Sequence, residues 1–297
     1  AEVGAAFPHD PGAAEAAILD EWSNAARFRL PPDLQPPPWP EVAPGQRIGS
    51  ALSEWAKTSP RPLVILIDEI DALRDETLIS VLRQLRSGYP SRPVGFPQSL
   101  ALIGVRDIRD YKVASGGSTR LNTSSPFNIK VESLTLSNFS QADVAELYQQ
   151  HTAETGQVFS PETVQRAFDL TQGQPWLVNA LARQIVEVIA PDPAEAITPD
   201  HVNTAKEILI QRQDTHIDSL ASLLQEDRIR AIIEPMLAGQ ELGEIPNDDR
   251  QFLMDLGLVI RSASGGLAPA NPIYREVMPR VLASGPQRHE HGAVVAL

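Results

Sequence analysis

The chain reads as an α/β protein. A parallel sheet with helices on both faces comes first, then an all-helical region, then helices enclosing a hairpin. Three observations predict this. Residues 63–67, Leu-Val-Ile-Leu-Ile, form a short apolar run of branched residues closed by Asp68-Glu69. That is the pattern of a strand buried on both faces at the centre of a parallel sheet. Strand-like and helix-like periods alternate around it. After about Ser140 the period is helical alone, until a hairpin signature begins at Gly257.

Each element follows from its own pattern. Ala14, Ala17, Ile18, Trp22 and Ala25 recur at helical spacing and predict a helix over 11–28. Residues 31–44 hold seven prolines, a connection over the surface, with a proline-rich partner ligand as the other reading. Ile48, Leu52 and Trp55 mark a helix ahead of the strand, and Leu78, Ile79, Leu82 and Leu85 mark one over 77–86. Strands are predicted at 99–105 and 128–136, the latter less buried because Ile129, Val131, Leu134 and Leu136 are interrupted by charges. Four helices follow, at 141–154, 161–171, 176–189 and 199–212. Ser140 and Ser160 serve as caps, and Pro161 and Pro199 take the first helical position. Residues 215–282 read as helices around a hairpin formed by 257–261, a turn at 262–266, and Leu267-Ala268-Pro269. The expected domains are 1–137, 138–213 and 214–283, with a loose tail at 284–297.

Composition narrows the functional classes. At 297 residues the chain holds two or three small domains with real cores. Its hydrophobic fraction of 42% is ordinary for a globular protein. It has no cysteine, which excludes disulfides and thiolate metal sites and fits a reducing, cytoplasmic setting. No apolar run approaches the roughly 20 residues of a membrane-spanning helix. The net charge of −13 opposes non-specific nucleic-acid binding, which neutralises phosphates with Lys and Arg. A protein partner or self-association is left as the expected mode of interaction.

The chemistry concentrates at Asp68 and Glu69. Carboxylates at the end of a buried strand are costly without a cation or hydrogen-bond donors. They also sit where open α/β sheets bind their ligands. Taken in order, four segments resemble the AAA-type P-loop ATPases of the origin-recognition-like and signal-transducing kind, common in prokaryotes. Residues 63–71 match their Walker B strand, and Ala101-Leu102-Ile103-Gly104-Val105-Arg106-Asp107 matches the sensor strand. Thr171-Gln172-Gly173-Gln174-Pro175-Trp176-Leu177 matches the Gly-x-Pro lid signature. Residues 256–267 with Asn271-Pro272-Ile273-Tyr274 match the winged-helix domain. The resemblance covers nearly the whole chain, to about Leu282.

It implies ATP and Mg²⁺ as cofactors, with Asp68 holding the metal, often through water, and Glu69 orienting the attacking water. Gln174 and Pro175 would begin the lid helix beside the nucleotide. Arg106 would sense the γ-phosphate through bidentate contacts, or else pair with a neighbouring Asp. Arg120 would alternatively act on a neighbouring subunit. Asp71 is expected to cap or ion-pair.

One departure is large. The phosphate loop Gly-x-x-x-x-Gly-Lys-Ser/Thr is absent: the four lysines are Lys57, Lys112, Lys130 and Lys206, and none follows a glycine. The first strand, phosphate loop and first helix are therefore expected upstream of Ala1. The chain alone is expected to hydrolyse ATP negligibly, and the alternative is a non-enzymatic interaction module on a degenerate or truncated ATPase fold. Between Thr215 and Leu297 there are seven arginines and eleven acids, net −4, so the wing is expected to pack against protein rather than DNA. His289-Glu290-His291 lies in the aperiodic tail and reads as solvent-exposed rather than metal-binding.

Overall fold

A computed structural model describes residues 7, 9–73, 75–105, 134–212, 220, 223–240, 245–262 and 265–283. The chain divides into two compact units, Ala1–Leu134 and Thr135–Leu297, each with its own core.

The first unit contains α1 (Pro11–Arg29), α2 (Arg47–Thr58), β1 (Val64–Ile67), α3 (Asp75–Gly88) and β2 (Ser99–Leu102). In α2, Ile48, Ala51, Leu52 and Trp55 recur on one helical face, and all four are buried. The helix stops at Ser59, which is extended, as a residue before proline prefers to be. In α3 the same spacing buries Leu78, Val81, Leu82 and Leu85. β1 and β2 run parallel with α3 as their crossover, Val64 opposite Ser99 and Ile67 opposite Leu102. Ile65, Ile67, Leu100 and Leu102 pack on the helical core.

The other face of the sheet corrects the sequence expectation. Val64 is 56% and Leu66 69% exposed, so β1 is covered on one face only. An apolar run carries no face preference in its composition, whereas the helix layer formed by α1, α2 and α3 lies on one side. Among the described residues the sheet has two strands rather than a central strand flanked on both sides.

Two polar arrangements fix this unit. The Trp39 indole N–H donates to the Leu19 carbonyl (3.0 Å) and that of Trp55 to the Leu34 carbonyl (3.1 Å). The rings meet edge-on at 6.1 Å, so the proline-rich run is a connection held back on its own helices. Glu15 is fully buried on α1 and accepts from the Gly45 backbone N–H, the Ser80 hydroxyl and the Gln84 amide. Gln84 in turn accepts from the Gly49 N–H, which ties α1, α2 and α3 together.

The second unit is helical. It contains α4 (Gln141–Thr155), α5 (Pro161–Thr171), α6 (Pro175–Gln184) with a π turn at Ile185–Ile189, and α7 (Pro199–Arg212). Then come α8 (Asp227–Leu237), α9 (Asn247–Asp255), β3 (Val259–Arg261), β4 (Leu267–Pro269) and α10 (Pro272–Ala283). α4 starts in a capping box: the Ser140 hydroxyl accepts from the Asp143 N–H while Asp143 accepts from the Ser140 N–H. Gly156 ends it in the left-handed conformation. Ser160 caps α5 ahead of Pro161. β3 and β4 form an antiparallel hairpin, Val259 opposite Pro269. One core runs from Val144 on α4 to Val281 on α10.

Most of the strand expected at 128–136, and the tail with His289-Glu290-His291, lie outside the described residues. Residues 134–136 are described and form no strand, with Leu134 and Leu136 exposed. Among the described residues no helix is long and apolar enough to cross a membrane.

Candidate functional site

Asp68 and Glu69 stand at the carboxyl end of β1, beside the carboxyl end of β2. The Ile103 N–H donates to the Ile67 carbonyl (2.8 Å), and the Ile70 N–H donates to the Ile103 carbonyl (3.0 Å). The chain therefore leaves β1, turns through the two acids and is pinned again at Ile70, which is buried. Glu69 makes the turn with φ 52° and ψ 44°, the left-handed region that a non-glycine residue enters only at a cost. The Asp68 carboxylate accepts the Glu69 N–H (2.9 Å) through one oxygen, Oδ1. Both side chains are exposed, and among the described residues neither has an ion-pair partner. The sequence pointed to these acids but gave no signal for the left-handed turn.

This donor set suits a hard divalent cation that keeps its own waters. Mg²⁺ is commonly bound by one or two carboxylates plus substrate phosphates, rather than by an all-protein cage. Among the described residues no group of three or more His, Asp or Glu side chains is arranged to hold a metal by itself. The acids thus fit the metal half of a nucleotide complex, and the sequence offers no Gly-Lys-Ser/Thr loop for the phosphate half.

The turn expected to open the lid is built from Gln172, Gly173 and Gln174. Gln172 (φ 49°) and Gly173 (φ 73°) are both left-handed. Gln174 caps α6, its side-chain oxygen accepting from the Leu177 N–H (2.6 Å), and Pro175 opens the helix. The side-chain oxygen of Gln174 is thus engaged within its own helix. Gly173 faces the backbone of Phe139: a Cβ here would land on the Phe139 carbonyl oxygen. The Phe139 N–H donates to the Gly173 carbonyl (2.9 Å), and the Asn138 amide donates to the Gln172 carbonyl (3.1 Å). Sequence reasoning missed this strap, although a glycine required by close approach was its signal.

Arg106 and Arg120 lie outside the described residues, as does the side chain of Asp71. An open groove in the second unit runs along Gln141, Glu162, Gln165, Arg166 and Asp169. Its cation is already engaged, the Arg166 guanidinium donating to Asn203 (2.8 Å).

No protein-family model and no curated protein matches the chain. Solved structures do. A Walker-type ATPase of Pyrococcus abyssi superposes with a TM-score of 0.56 at 10% identity, covering 91% of this chain and 78% of that one. A RuvB mutant of Thermotoga maritima matches with a TM-score of 0.43 at 15% identity, over 80% of this chain and 75% of that one. At such identity the first similarity establishes the fold alone: the chain shares its fold with that Walker-type ATPase.

Proposed function

We propose that these residues belong to an ATP-binding, AAA-type nucleotide switch whose phosphate loop lies outside residues 1–297. The observation that carries the reading is the left-handed turn of Asp68-Glu69 at the carboxyl end of β1. It leaves both acids exposed at the carboxyl end of β1, where ligands of open α/β folds bind. Mg²⁺ would supply charge neutralisation of the transferring phosphoryl group. Asp68 would hold the metal with the oxygen not used by the Glu69 N–H, and Glu69 would orient the attacking water. Arg106 would meet the γ-phosphate from the segment after β2. Gln174 and Pro175 would present the start of α6 to the nucleotide, and β3–β4 with α8 to α10 would serve as a winged helix. Its helix α9 carries Asp248, Asp249 and Asp255 against Arg250, which favours a protein partner over DNA.

A second reading is favoured by the missing lysine loop: an interaction module that keeps the ATPase fold without its activity. The reading frame ahead of Ala1 separates the two. A strand followed within about 40 residues by a Gly-rich loop ending Gly-Lys-Ser/Thr supports the switch. An initiation codon or unrelated sequence there gives the interaction module precedence.

A further inference from the structure

The second unit offers a mechanical feature that stands whether or not a nucleotide is held at Asp68. Its helical bundle and its hairpin-bearing part are not separate bodies. Val144, Leu177 and Leu209 share one hydrophobic core with Leu253, Tyr274 and Met278. α10 packs against α5 and α7 of the bundle as well as against α8. The seam is sealed by an ion pair. Lys206 on α7, its side chain only 12% exposed, donates to both carboxylate oxygens of Glu276 on α10 (2.8 and 3.0 Å). Glu207 approaches the same ammonium at 2.9 Å, and Arg280 lies 3.9 Å from Glu276. Burial pulls the Lys206 pKa down, but the hydrogen bonds to Glu276 and Glu207 outweigh it and leave the pKa above the usual lysine value. Lys206 therefore carries its charge into the seam throughout the neutral range.

The chain enters this unit through Asn138 and Phe139, which are strapped to the carbonyls of Gln172 and Gly173. Just ahead of the strap, residues 134–137 lie outside any helix or strand. Leu134 is 77% and Leu136 92% exposed there.

We infer that the described parts of α4 to α10 open as one cooperative unit, held together by the shared core and the Lys206–Glu276 pair. The hairpin opens with the turn at Gln172-Gly173-Gln174 because both are fastened to that one core. Neighbouring elements that share a core and a half-buried pair open together, whereas separate lobes open at separate free energies.

Amide hydrogen exchange on the whole chain, followed by mass spectrometry over a urea series, tests this. The slowest amides of α5 and α7 should join those of α8 and α10 on a single urea dependence. Lys206→Met keeps the aliphatic stem but strands two carboxylates, so it should accelerate exchange in both halves equally, by about tenfold. Separate urea dependences for the two halves would overturn the inference. So would acceleration confined to α8 and α10, or none in either half.

Discussion

The left-handed turn at Glu69 is the residue-scale feature from which the functional reading starts. A non-glycine residue at φ 52° costs of order 1 kcal/mol, which the flanking bonds at Ile70 and Ile103 hold in place. Glu69→Gly is therefore expected to stabilise the fold by about 0.5–1 kcal/mol relative to Glu69→Ala, read as a rise in urea midpoint. An equal or lower midpoint would show that the turn is unstrained. Glu15 is the opposite case, a buried carboxylate whose donors are all uncharged. Glu15→Gln turns one acceptor oxygen into a donor facing other donors. It should cost about 2–4 kcal/mol by the same measurement.

At the scale of elements, the helices were legible because their signals are local. Ile48, Leu52 and Trp55 share a helical face, and Ser140, Ser160, Pro161 and Pro199 mark helix starts without help from distant residues. The burial of β1 was not legible, since Val64 and Leu66 are as apolar as Ile65 and Ile67. Which face is covered depends on where α1, α2 and α3 pack. The strap of Phe139 on Gly173 joins residues 34 positions apart, which no local period reveals. The α4 capping box carries a pH prediction. The Ser140 hydroxyl first, and then its backbone N–H, hold the Asp143 carboxyl below its ordinary pKa. Its stabilisation is complete above the unfolded value, about 3.9, and is lost as pH falls through the lowered one. Asp143→Asn should therefore lower the urea midpoint at pH 7 and leave it unchanged in strong acid. A difference that persists in acid would contradict the cap.

At the scale of the whole molecule, the chain shares its fold with a Walker-type ATPase, as the pattern of apolar strand, acids and helices suggested in the coarse. The catalytic reading rests on fewer residues. Asp68 and Glu69 are placed, Gln174 caps its own helix, and Arg106 lies outside the described residues. In the proposed switch Glu69 would orient the water that attacks ATP. The most direct measurement compares ATP binding and turnover of wild type and Glu69→Gln in the protein that carries these residues together with a phosphate loop. ATP affinity should be unchanged and turnover should fall about a hundredfold or more. Undiminished turnover in Glu69→Gln would contradict that role.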